Sequence, residues 1–198
     1  MKTQKLLVIA AIVCLLVGAS GAAMAATVCG DDSGNPEDGY IEQSLVVGNV
    51  QVTGNCVLDG ITIVGNVIAN LEHNEVLVVN NALILGKVKV TGGSAAIVSS
   101  LFPGGGFVSS SGRPLGQGNR ILIDNIDEDT LVQANIVQGG GNILVRGGAA
   151  GDSIVYIQNN TVLSGNIRCV GTVGQTGSAG VLATGNVTPL GVVTCFGQ

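Results

Sequence analysis

Two groups of charged side chains have the types and spacing to do chemistry. The first is the acidic run Asp124-Asn125-Ile126-Asp127-Glu128-Asp129. Asp124, Asp127 and Asp129 could offer oxygen ligands to calcium, a hard cation that takes about six to eight of them. The run lacks the glycine at loop position six and the distal glutamate of an EF-hand, so it also reads as a solvated acidic turn. The second group is basic. Lys87 and Lys89 stand two residues apart and would share one face of a strand. A repeat alignment places Arg168 in register with Lys89, with Arg120 and Arg146 on levels between them. Such a stripe could face an anionic glycan. Lyase chemistry needs a Lys or Arg base to take the proton beside a uronate carboxylate, and a cation to hold that acid. The competing reading is a set of solvated outward positions. A glycosidase would need two carboxylates facing each other across a groove, a pairing that sequence spacing does not reveal.

The remaining chemistry is sparse. His73, the one histidine, lies in the polar stretch Leu71-Glu72-His73-Asn74-Glu75 and reads as a corner residue. No G-x-S-x-G context supports a serine triad. Tryptophan is absent, which argues against the aromatic platforms that bind sugars. Phe102 and Phe107 flank a Pro/Gly turn, where they form a contact patch or fold back into the core. Cys29, Cys56, Cys169 and Cys195 remain once Cys14 is set aside with the N-terminal leader. An even count suits two disulfides in an oxidising compartment. Three connectivities are possible, and the spacing favours Cys29–Cys56 and Cys169–Cys195. Each would contribute roughly 3–4 kcal/mol by the chain-entropy estimate. A zinc site would need a tight C-x-x-C spacing, which is absent.

The elements that must position these residues follow a leader. Lys2 and Lys5 precede an apolar run over residues 6–17, and small residues end in Ala23-Met24-Ala25. That pattern predicts a signal peptide over residues 1–25. The run is shorter than the roughly 20 residues that span a bilayer. Val13 before Cys14 is too large for a lipoprotein cleavage site. Removing the two leader lysines from the 8 basic residues leaves six against 13 acidic ones, a net charge of about −7. An acidic chain with scattered Lys and Arg excludes nucleic acid and anionic membrane as partners. Residues 26–40 read as a polar leader or cap, and residues 41–198 as one domain.

Internal repetition sets the expected fold. Cys56-Val57-Leu58-Asp59-Gly60-Ile61-Thr62-Ile63-Val64-Gly65-Asn66-Val67 aligns without gaps on Leu77-Val78-Val79-Asn80-Asn81-Ala82-Leu83-Ile84-Leu85-Gly86-Lys87-Val88. Both align on Tyr156-Ile157-Gln158-Asn159-Asn160-Thr161-Val162-Leu163-Ser164-Gly165-Asn166-Ile167. Gly-Asn steps at Gly48, Gly65, Gly118, Gly141, Gly165 and Gly185, with Gly86-Lys87 as a variant, are separated by 17, 21, 32, 23, 24 and 20 residues. The long interval holds a Gly/Ser/Pro-rich stretch over residues 101–117, read as an inserted loop. These spacings predict an all-β, single-stranded parallel β-helix of about seven coils, a rod roughly 30 Å long. Val57, Ile61, Ile63 and Val67 share a parity that would point inwards. Stacked asparagines would form hydrogen-bonded ladders. A β-sandwich is the alternative, and no helical periodicity is present.

With that repeat, residues 41–193 resemble the secreted right-handed parallel β-helix proteins, the pectate-lyase-like superfamily in its broad sense. The resemblance implies a family of polysaccharide lyases, hydrolases and adhesins, and fold alone does not choose among them. The expectation is an exported structural, surface, matrix or adhesive protein without catalytic activity. Its partner would be an extracellular polysaccharide or another copy of itself. The alternatives are a small polysaccharide lyase or hydrolase using Lys87, Lys89 and Arg168, and a calcium-dependent binding module. No cofactor other than calcium is implied.

Overall fold

The computed structural model describes residues 26–30, 39–41, 44–103, 118–126, 128–146, 153–170 and 180–195. The expected signal peptide, Asp31-Asp32, Glu37-Asp38, Asp127 and residues 104–117 with Phe107 lie outside them.

Short aliphatic runs rich in β-branched residues become strands, and glycine or asparagine ends each one. β1 (Thr27–Cys29) comes first, followed by β2 (Leu45–Val47) and β3 (Val50–Val52). Five full coils of three strands follow. They are β4 (Cys56–Asp59), β5 (Thr62–Val64) and β6 (Val67–Asn70); then β7 (Val76–Asn80), β8 (Leu83–Ile84) and β9 (Val88–Thr91). The third is β10 (Ser94–Val98), β11 (Leu101–Phe102) and β12 (Asn119–Asp124). The fourth is β13 (Thr130–Gln133), β14 (Ile136–Val137) and β15 (Asn142–Arg146); the fifth is β16 (Ile154–Gln158), β17 (Thr161–Val162) and β18 (Ile167–Val170). β19 (Gly180–Thr184) and β20 (Val193–Thr194) form the last turn.

Three parallel sheets run the length of the rod. Sheet 1 stacks β4, β7, β10, β13, β16 and β19; sheet 2 stacks β2, β5, β8, β11, β14 and β17. Sheet 3 stacks β1, β3, β6, β9, β12, β15, β18 and β20. A bridge from Tyr40 to Val57 extends sheet 1 at the first coil, and one from Thr161 to Val187 extends sheet 2 at the last. This is the expected parallel β-helix of about seven coils. A sandwich built of hairpins would need antiparallel neighbours, and each pairing among the described strands is parallel. Thr27–Cys29, inside the stretch expected as leader, is the outermost strand of sheet 3. Leu101 and Phe102, expected in the inserted loop, form β11 of the rod, and Phe102 is fully buried.

The core is a set of aliphatic columns. Val46, Ile63, Ile84, Phe102, Val137 and Val162 line sheet 2, while Val67, Val88, Ile121, Ile143 and Ile167 line sheet 3. Full burial of each such side chain is worth about 1.5–3 kcal/mol. One expected inward residue is corrected: Val57 faces out at 38% exposure, while Cys56 and Leu58 face in. The reason lies at the corner between sheets 1 and 2. Gly60 there is in the left-handed region, φ 64°, and so are Asn81, Ser99, Ala134, Asn159 and Gly185 at the same corner of later coils. That turn resets the alternation, so parity does not carry from one sheet to the next.

Two asparagine ladders bind the coils. The residue after the left-handed position forms a buried ladder. Asn135 N–H and Nδ2 donate to Asn160 Oδ1, both at 3.0 Å, and Asn160 donates in the same way to Asn186 Oδ1. Each Nδ2 also donates back to a strand carbonyl of the preceding coil: Asn135 to Ile97, Asn160 to Val132 and Asn186 to Ile157. One amide thus ties three coils together. The second ladder lies between sheets 2 and 3, where Asn66 N–H donates to Asn49 Oδ1 and Asn166 N–H to Asn142 Oδ1. The glycines before Asn66 and Asn166 are required by close approach. A β-carbon at Gly65 would overlap the Gly48 carbonyl oxygen, and one at Gly165 the Gly141 carbonyl oxygen. Gly185-Asn186, counted with this step in the sequence, belongs to the inner corner instead, and Gly191 stacks on Gly165 in its place.

Disulfides close both ends, with the pairing that the spacing favoured. Cys29–Cys56 joins β1 to the start of β4, and Cys169–Cys195 joins β18 to the residue after β20.

Two substitutions test this account by urea denaturation of the oxidised protein. Gly165→Ala forces adjacent coils apart and should lower stability by about 2–3 kcal/mol. Ala134→Gly relieves a left-handed alanine at an exposed corner and should raise it by about 0.5–1 kcal/mol.

Candidate functional site

The basic stripe does not converge. Register runs from Lys89 to Leu122, to Leu144 and to Arg168 along the outer face of sheet 3. Lys89 and Arg168 therefore share a column, but two leucines separate them by about 14 Å at the usual strand spacing. Lys87 sits just before β9 at the corner between sheets 2 and 3, exposed, where its N–H accepts the role of ladder donor to Asn66 Oδ1. Proton abstraction needs a base and an acid-holding cation within reach of one sugar ring, and Lys89 and Arg168 stand too far apart to serve as that pair.

Arg120 departs further from its expected place. The pairing of β12 with β15 shifts register between Asn119 and Ile121, a bulge that turns the extra residue inwards. Arg120 is fully buried. Its Nη1 donates to the carbonyls of Leu85 at 2.7 Å and Gly86 at 3.0 Å, and Nη2 donates to Pro103 at 2.6 Å. Burial holds the guanidinium below its ordinary pKa. Pro103 and Arg120 stand at the two ends of the insert, so this side chain closes the insert's base across the coil wall. Gly141 lies under it, where a β-carbon would strike the Arg120 stem. The side chain works as a structural clasp, with its cationic hydrogen bonds directed at backbone oxygens.

The described part of the acidic run lies at the end of β12 and the corner between sheets 3 and 1, and the carboxylates of Asp124, Glu128 and Asp129 meet protein donors. Asp124 Oδ2 is 2.7 Å from Arg146 Nη2 across the β12–β15 pair. That hydrogen bond first, and the carboxylate charge second, raise the Arg146 pKa. Asp129 Oδ1 accepts from Ile154 N–H at 2.8 Å, and its carbonyl accepts from Ser94 Oγ. Of the three expected calcium ligands, Asp127 lies outside the described residues. Among the described residues no three His, Cys, Asp or Glu side chains cluster as metal ligands.

One grouping at this corner was not visible in the sequence. His73 Nδ1 lies 3.4 Å from Glu128 Oε1, which also accepts from Asn74 N–H at 2.7 Å. The contact joins corners two coils apart, because the corner between them is the two-residue Gly92-Gly93 turn. Both glycines have positive φ, and side chains there would strike Leu71 and Glu75. The paired glycines in a repeat that otherwise carries longer corners are the one signal that could have pointed to it.

The clasp separates structural from surface cations. Arg120→Ala should lower stability by about 3 kcal/mol or more, since it leaves a cavity and three carbonyls without their donor. Lys87→Ala and Arg168→Ala, both at exposed positions, should change it by under about 0.5 kcal/mol in the same urea titration.

Comparison with protein-family models, with curated proteins and with solved structures finds no match to this chain.

Proposed function

We propose that this chain is an exported structural component of a cell surface or extracellular matrix, acting as a rigid rod. The observation that supports this reading is where its polar groups point. Asparagine amides bond from coil to coil, Arg120 bonds backbone carbonyls, and Asp124 and Glu128 hold Arg146 and the His73–Asn74 corner. The polar chemistry of the described residues thus works mainly to hold the rod together. Two disulfides suit an oxidising environment, which agrees with the leader pattern at the N-terminus. A polysaccharide of the surrounding wall or matrix is the partner class that the likeness to pectate-lyase-like proteins supports.

The test is turnover. Purified, oxidised mature protein incubated with acidic and neutral polysaccharides, with and without millimolar calcium, should release no new reducing ends. Calcium should leave the melting temperature unchanged. Release of reducing ends that Lys89→Ala or Arg168→Ala abolishes would replace this reading with an enzyme working along sheet 3. A calcium-linked rise in melting temperature that Asp124→Asn or Asp129→Asn removes would replace it with a calcium-dependent module.

A further inference from the structure

The two outermost strands of sheet 3 match each other. β1 (Thr27-Val28-Cys29) and β20 with the residue after it (Val193-Thr194-Cys195) each set two β-branched residues before a cysteine. Register along sheet 3 puts Thr27 in the column of Val193 and Val28 in that of Arg168 and Thr194. Cys29 and Cys169 share the next inward column. Between these two strands the described chain visits sheets 1, 2 and 3 in strict turn. Its first turn passes through Tyr40 and β2, and its last through β19 and Val187. A second copy that enters with β1, in sheet 3, can therefore follow only a rod that finishes in sheet 2. β20 is the one strand that prevents this. Without it, the β1, Tyr40 and β2 of a second copy fall on β18, β19 and Val187, and all three sheets continue together.

The turn that carries β20 is lightly held. Leu190 is 80% and Val192 56% exposed. Ile167 N–H donates to the Val192 carbonyl, and Val192 N–H to Asn166 Oδ1, both at 3.0 Å. The covalent anchor is Cys169–Cys195. Cys169 is half-buried, whereas Cys29 and Cys56 at the other end are each 1% exposed, so a reductant reaches the C-terminal bond first.

We propose that Cys169–Cys195 is a redox lock on head-to-tail assembly, and that the strand seated at the opened end is β1 of a second copy. A dithiol opens the lock. Two electrons and two protons pass to the protein sulfurs, giving two thiols, and the dithiol closes to its own disulfide. β20 then leaves β18, and the incoming β1 takes its seat. Among the described strands none pairs with the outer edge of β1. Thr27 N–H donates to the Asn49 carbonyl and the Cys29 carbonyl accepts from Thr53 N–H, so the backbone groups of Val28 between them point to that edge. There Val28 N–H would donate to the Ile167 carbonyl, and the Ala26 carbonyl would take the bond that Val192 now accepts. A contact between unlike ends propagates as a filament. This inference rests on the structural reading above and names its partner and its control.

Sedimentation velocity of the mature protein at rising micromolar concentration tests it. The oxidised wild type should stay monomeric. Cys169→Ser/Cys195→Ser, which keeps the Cys29–Cys56 bond, should grow into multimers, as should the wild type under dithiothreitol. Alkylation and mass spectrometry should then find Cys169 and Cys195 free before Cys29 and Cys56. Val28→Pro removes the edge donor without breaking a bond inside the rod, and should abolish the multimers of the double-serine variant. If Val28→Pro unfolds, Val28→Lys replaces it, because it sets a cation beside Arg168 of the receiving copy. Multimers in the oxidised wild type, a double-serine variant that stays monomeric, or multimers that survive substitution at Val28 each overturn the proposal. Release of Cys29 and Cys56 ahead of the other pair overturns it too. The two readings fail separately: polysaccharide turnover removes the structural role whatever the mass, and a monomeric double-serine variant that turns nothing over removes only the assembly.

Discussion

Everything in this molecule depends on neighbouring coils staying one strand spacing apart and in register. Parallel strands supply the backbone bonds, but short strands hold register weakly, and several here are only two or three residues long. The inner asparagine ladder makes up the difference. The amides of Asn135 and Asn160 each accept from the coil before and donate to a coil on either side, at fully buried positions. Removing the amide would leave buried N–H groups without acceptors, which is why the position is not simply aliphatic. Toward the N-terminal end the same column holds Ser100 and then Ala82, and Ser100 Oγ accepts from Ala82 N–H as a shorter substitute. The ladder thins where the Cys29–Cys56 bridge begins to hold the coils covalently.

The glycines serve the same constraint from the outside. At the corner between sheets 2 and 3 the chain passes so close to the coil below that a β-carbon would meet backbone. Close approach there lets the outer asparagines reach across. Where the outer ladder is interrupted by Lys87 and then by the insert, Arg120 reaches inwards and binds the carbonyls of Leu85, Gly86 and Pro103. A cation thus takes the place of the outer ladder at this coil, while the inner ladder runs through it at Ser100 and Asn135.

How much of this was legible depended on whether a feature repeats. The coil, its count, the stacking of the Gly-Asn asparagines and the disulfide pairing are legible because the Gly-Asn step and the cysteine spacing recur or pair along the chain, whereas the inner ladder of Asn135, Asn160 and Asn186 follows three different residues and carries no shared motif. What stayed hidden are the local departures. Val57 was assigned inwards because alternation was carried through Gly60, and a left-handed corner cancels it. Gly185-Asn186 was assigned to the wrong corner because one dipeptide serves two different turns. Arg120 was set among surface cations because a bulge leaves no mark in an aliphatic run such as Ile121-Leu122-Ile123. The meeting of His73 with Glu128 required knowing that one corner between them is only two residues long. A periodic reading finds the lattice of such a protein, and its irregular points need coordinates.

The strand count carries a last consequence. Sheet 3 holds eight strands, while sheets 1 and 2 hold six each and gain one level from the bridges at Tyr40 and Val187. The rod therefore ends like a screw thread cut out of phase, with β1 standing one step proud. Were β1 of one molecule to seat on β20 of another, the other two sheets would face each other across a missing level. Were those two sheets to meet flush, β1 and β20 would need the same space. Parallel coils are open at their edges and are prone to extend without limit. The described strands of this one are phased so that no simple stacking of one copy on another pairs all three sheets at once.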